Sequence, residues 1–142
     1  MNIKLYLASL LATFSLSGTK LSAQDLPKDS IPDKLVVVWT SGDPEVAETM
    51  ALMYTHAAKT NKWFKDVTLI IWGPSARLVI ENPKIQEKVI KMQKDGVVLE
   101  ACVACANMLG VTEQLKKLGV DVKGMGGPLT NYLKSGAKVL TF

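Results

Sequence analysis

The chain has 142 residues, 17 Lys and Arg against 13 Asp and Glu, 48% hydrophobic residues and two cysteines. A formal charge of +4 carried by dispersed lysines and one arginine, Arg77, excludes a nucleic-acid footprint, which needs clustered basic residues with interleaved aromatics. Two cysteines and one histidine far off in sequence cannot complete a four-ligand zinc site, so neither a metal nor a cofactor is expected.

Met1–Ala23 combines Lys4, an apolar run over Leu5–Leu16 and a small-residue ending, Leu21-Ser22-Ala23, which is the layout of a secretory signal peptide cleaved after Ala23. The run is too short and too interrupted by Ser and Thr for a good membrane span. An exported chain, periplasmic or secreted and with no membrane span after cleavage, is therefore expected; the alternative is an uncleaved amino-terminal anchor. Loss of Lys4 and Lys20 lowers the charge to +2, and the remaining residues 24–142 suffice for one domain with its own core. Gln24–Asp33, with two prolines and little apolar content, reads as a flexible lead-in to a domain over 34–142.

Lys34–Trp39 is an apolar strand, after which Asp43 supplies an N-cap and Pro44 a first helical residue. Val46, Ala47, Met50, Ala51, Tyr54 and Ala57 recur at helical spacing as far as Thr60. Val67–Trp72 is a second strand ending in Gly73-Pro74-Ser75, with a short helix over Ala76–Ile80. Asn82 and Pro83 open another helix, which Gly96 ends. Val97–Leu99 is a third, buried strand, followed by a short helix over Val103–Leu109 stopped by Gly110. Thr112 caps a helix closed by Gly119, Val120–Val122 is a fourth strand, Pro128 starts a last helix, and Lys138–Phe142 is a fifth strand. Strands that are apolar on both faces and alternate with helices predict a three-layer α/β/α, doubly wound fold on a five-stranded, mostly parallel sheet. Sites in such sheets gather at the carboxyl ends of the strands.

Chemistry concentrates at Cys102-Val103-Ala104-Cys105, where a strand gives way to a helix. Backbone N–H groups at such a junction favour the thiolate, the nucleophilic form of cysteine. Cys102 can attack a disulfide with Cys105 as the resolving or auxiliary thiol, or it can accept a sulfane sulfur as a persulfide. A third reading makes both cysteines buried filler or an inert disulfide. Ser41, Gly42, Asp43, Gly73, Pro74, Ser75, Met125 and Gly126 lie on the adjoining strand-end loops and are candidate binding residues. Tight-turn glycines and a capping Asp43 are the plainer explanations of several of them. His56, mid-helix, reads as a core or interface residue, and the methionines Met50, Met53 and Met92 as core filler. Glu100 falls on the sheet face opposite Ala101, and no catalytic role is assigned to it.

The first strand with Ser41-Gly42-Asp43, the Cys102–Gly110 segment and the ending Leu129–Phe142 together resemble the DsrE/DsrF-like sulfur-relay family, over essentially the whole of 34–142. The resemblance implies a YchN-like α/β fold. It also implies a persulfide on Cys102, whose Cys-x7-Gly spacing to Gly110 fits relay members, and assembly as a homo-oligomer, a trimer or hexamer. Expected partners are a thiol or persulfide donor or acceptor protein or a small sulfur compound, in a sulfurtransferase-like role. Two features depart from relay members, which are mostly cytoplasmic and commonly have a small residue where Cys105 stands. A periplasmic thiol-disulfide oxidoreductase and a non-enzymatic ligand- or partner-binding module with structural cysteines are the alternatives.

Overall fold

The computed structural model describes residues 32–142. The expected signal peptide, residues 1–23, and the lead-in as far as residue 31 lie outside the described residues.

Runs of Val, Ile and Leu favour extended backbone, and here they form β1 (Lys34–Trp39), β2 (Asp66–Ile71), β3 (Val98–Cys102), β4 (Asp121–Lys123) and β5 (Lys138–Thr141). They align in one sheet in the order β4-β3-β2-β1-β5, and every pairing is parallel. The helices are α1 (Pro44–Val46), continuing through a π-helical segment (Ala47–Ala51) into α2 (Leu52–Thr60), then α3 (Pro74–Glu81), α4 (Pro83–Lys94), α5 (Val103–Leu109), α6 (Thr112–Lys117) and α7 (Gly126–Lys134). None of them is long and apolar enough to cross a membrane.

Strand order decides which face each helix covers. Right-handed crossovers from β1 to β2, β3 and β4 all step toward the same edge, so α1 to α6 share one face. The return from β4 to β5 runs the other way and puts α7 on the opposite face. Alternation along the strands follows this division. Leu35, Val37, Trp39, Leu69, Ile71, Leu99 and Ala101 pack under Leu52, Val79, Ile85, Val89, Met92 and Leu115 in the main core. Val36, Val38, Ile70 and Cys102 form a smaller cluster with Met125, Leu129 and Tyr132 from the α7 segment.

Asp43 caps α1 through Oδ1, which accepts from the amides of Glu45 at 2.7 Å and Val46 at 3.2 Å, and Asn82 Oδ1 does the same for α4. Several expectations are corrected. The helix expected over Ala76–Ile80 starts at Pro74, and the last helix starts at Gly126, before Pro128. Thr112 is not a cap: it is the first residue of α6, and its hydroxyl donates instead to Asn107 Oδ1 at 2.6 Å. β3 runs on to Cys102, and Val98 at its start is exposed rather than buried. Met50 and Met53 are exposed, whereas Met92 is core. The inward stripe of the first helical rod is Ala47, Ala51, Leu52, Thr55 and Ala58. The π turn inserts a residue into the helical period, so a spacing carried forward from Val46 does not follow that stripe.

Candidate functional site at the carboxyl edge of the sheet

β3 ends on Cys102, which is also the N-cap of α5, in extended conformation (φ −74°, ψ 113°). Gly110 closes the same helix in the left-handed region (φ 68°), a conformation that favours glycine. The segment from Cys102 to Gly110 is thus one compact unit with a thiol at its entrance. Both cysteines are free. Cys102 is 7% exposed and packs in the Val36, Val38, Ile70 and Met125 cluster; Cys105, half-buried, packs against that cluster. Burial pushes the Cys105 thiol above its ordinary pKa, and the hydrogen-bonded Cys102 thiol beside it acts the same way. The backbone N–H of Gly73 opposes them by stabilising the charged form.

The proposed loop residues fall into two groups. Gly73 and Met125 meet the thiols, one through its amide and the other through apolar packing. Gly73 adopts φ 73°, the turn that carries the chain from β2 into α3. Ser75 does not offer a free hydroxyl: it is fully buried, donates to the Trp39 carbonyl at 2.6 Å and accepts from the Trp72 amide at 3.1 Å. Its role is to tie the ends of β1 and β2 together. A Cβ on Gly42 would come within 3.0 Å of Pro74 Cβ, so glycine is what lets these two loops touch. Gly42 and Pro74 border a groove of about 230 Å³ completed by Arg77, Leu78, Glu81 and Leu109. Ser41 accepts from the Asp43 amide, Asp43 is occupied as a cap, and Gly126 is exposed at the first turn of α7. His56 is remote from the thiols by function as well as position: its Nε2 pairs with Asp95 Oδ2 at 2.6 Å. Lys91, and then His56, hold the Asp95 carboxyl below its usual range. Among the described residues no three His, Cys, Asp or Glu side chains converge as metal ligands.

No catalytic role is expected of Glu100 from the sequence, yet on the second face it joins Lys123 of β4 to Tyr132 of α7. Being two residues before Cys102, it shares that residue's side of β3. It is 4% exposed, and its Oε1 accepts from Lys123 Nζ at 2.8 Å and from the Tyr132 hydroxyl at 3.0 Å, while Oε2 is buried without a partner. Lys123 is the β4 residue paired with Cys102 in register, and it also reaches Asp121 at 2.6 Å. Tyr132 comes from α7; Lys34 Nζ sits 4.6 Å from its ring centroid, a cation–π contact. Burial, then Glu100, raises the Tyr132 pKa. The side-chain period of the strand would have placed Glu100 beside Cys102, but its partners lie on β4 and α7 and no local pattern reveals them.

Residues 33–142 match the DsrE/DsrF-like family. Among solved structures, a conserved protein of unknown function from Bacteroides thetaiotaomicron, BT1422, is 36% identical with a TM-score of 0.75, covering 78% of this chain and 95% of its own. The YchN protein from E. coli aligns with a TM-score of 0.62 over 79% of this chain and 100% of its own, at 17% identity, a likeness of fold alone. No curated protein matches the chain. On the extent of the family match and the identity to the Bacteroides protein, the chain belongs to the DsrE/DsrF-like family.

Proposed function

We propose that this DsrE/DsrF-like protein handles sulfane sulfur, holding it as a persulfide on Cys102. The observation that carries the reading is the pair of free thiols at the carboxyl edge of the sheet, one at the cap of α5 and the other one turn on. In the loading step the Cys102 thiolate attacks the outer sulfur of a donor persulfide. The donor S–S bond breaks, the donor departs as a thiolate, and Cys102 gains one sulfur without net oxidation. The 7% exposure of Cys102 suits a small persulfide or an extended donor segment better than a blunt protein surface. Export to the periplasm or beyond, and assembly as a trimer or hexamer, belong to the same proposal.

The nearness of Cys105 favours a second reading, dithiol–disulfide exchange without uptake of sulfur. Intact mass spectrometry of Cys105→Ala after exposure to glutathione persulfide separates the two. Gain of one sulfur atom, absent from Cys102→Ala, supports the persulfide; a glutathione adduct on Cys105→Ala supports exchange; no reaction at Cys102 overturns both.

A further inference from the structure

We infer that Cys105 resolves the Cys102 persulfide, so that the protein releases hydrosulfide and closes an intramolecular disulfide instead of passing sulfane sulfur onward. The inference rests on the persulfide reading above and adds its product. Cys102 is the N-cap of α5, and Cys105, three residues on, is its third helical residue. These are the two positions of a capping box, in which each side chain reaches the other residue's backbone N–H, so that both side chains lie across the same first turn. Cys102 makes no capping hydrogen bond with its side chain, so its sulfur is not held away from Cys105. Three residues of helix rise about 4.5 Å and turn about 300° on a radius of about 2.3 Å, which sets the Cα atoms about 5 Å apart, and a disulfide accepts Cα separations of about 4.4–6.8 Å. The bond can therefore form without unwinding α5.

Burial decides who attacks. An external thiol must reach past Val36, Val38, Ile70 and Met125 to the inner sulfur of a Cys102 persulfide, whereas Cys105 packs against that same cluster. A neighbour packed on the same cluster acts at an effective concentration far above that of any solution thiol. In the step itself the Cys105 thiolate attacks Cys102 Sγ. The Sγ–Sγ bond forms, the bond from Cys102 Sγ to the outer sulfur breaks, and the outer sulfur leaves as hydrosulfide with the persulfide proton. Two electrons pass from the protein thiols to the sulfane sulfur, which is reduced to sulfide. An external dithiol, protein or small molecule, must then reduce the disulfide before another turnover.

The test loads reduced full-length protein with one equivalent of glutathione persulfide, then measures free sulfide and, after alkylation, intact mass. The expected result for the wild type is a disulfide that resists alkylation, no retained sulfur, and sulfide equimolar with the disulfide. Cys105→Ala, with Cys105→Ser as a second variant that better keeps the side-chain size, should retain one sulfur on Cys102 and release sulfide at least about a hundredfold more slowly. Cys102→Ala should do neither. A wild type that keeps the added sulfur and releases no sulfide would overturn this inference and leave the persulfide reading intact. If both Cys105 variants take up no sulfur, the persulfide reading fails and this inference with it.

Discussion

Replacing Lys123 with Met strips the buried Glu100 carboxylate of its counter-charge. The Lys123 ammonium lies 2.8 Å from Oε1, Oε2 has no partner, and the Tyr132 hydroxyl alone would remain to stabilise the charge. Breaking a buried ion pair costs about 3–5 kcal/mol, because the surviving charge stays desolvated. The Lys123 side chain is 36% exposed, so water recovers part of that loss and about 3 kcal/mol is expected. Asp121→Asn is the matched control. It removes a carboxylate 2.6 Å from the same ammonium, but Asp121 is 58% exposed, and exposed pairs contribute about 0–1 kcal/mol. Urea unfolding should show a large fall in midpoint for Lys123→Met and a small one for Asp121→Asn, with similar slopes. At about 4 °C per kcal/mol for a domain of this size, the first variant should melt about 12 °C lower. Adding Glu100→Gln to Lys123→Met should restore much of the stability, because the stranded charge is gone. Asp121 first, then Glu100, hold the Lys123 pKa above the ordinary lysine value. The contribution of the raised group is fully present below the unfolded lysine pKa and is lost only as pH climbs through the higher folded value, so Lys123 supports the wild-type fold unchanged through neutral pH. Equal, small losses in Lys123→Met and Asp121→Asn would refute the claim that Glu100 is a buried charge dependent on this lysine.

Ser75→Ala should cost about 0.5–1.5 kcal/mol in chemical unfolding: it removes the buried hydroxyl that bonds the Trp39 carbonyl and the Trp72 amide, while those two groups keep their direct bond at 3.0 Å; a loss within error would mean that direct bond alone holds the strand ends. Gly73→Ala forces a Cβ into φ 73° and should cost about 1–2 kcal/mol. It should also raise the Cys105 pKa further if it displaces the amide that stabilises the thiolate, which thiol titration by ultraviolet absorbance would detect. Alkylation of Cys105 in Cys102→Ser should still be accelerating with pH above the ordinary thiol value of 9.0, since burial, the largest cause of the shift, disfavours the thiolate. The groups facing that thiol are the residue 102 side chain and the Gly73 amide, with the Glu100–Lys123 pair deeper on the same face. A rate that levels off at or below the ordinary value would count against burial as the cause.

Much of the architecture was legible because it depends on local rules. Leu35–Trp39 could be little other than a doubly covered strand, Asp43 and Asn82 announced helix starts, and Gly110 marked the stop after the cysteines. The cysteine pair was legible for the same reason: a thiol at the end of an apolar run and another one helical turn later need no tertiary information. The remainder needed the folded chain. Ser75 looks like a free loop hydroxyl until β1 and β2 lie side by side and claim it. Met50 and Met53 sit at helical spacing from buried alanines, yet the π turn moves the inward stripe. Glu100 was half legible, since it shares the parity of Cys102. What makes it tolerable in the interior is a lysine 23 residues later and a tyrosine 32 residues later, and these come together only when β4 and α7 are in place.

The Phe142 carbonyl accepts from the Thr40 amide at 2.7 Å, the Thr40 hydroxyl at 2.8 Å and the Ser41 amide at 3.3 Å, across 102 residues between Thr40 and Phe142. While a ribosome is making the chain, the first strand and its following loop therefore wait for almost all the rest before that stitch can close. Contacts of such long range slow folding, so this corner of the molecule is among the last to mature.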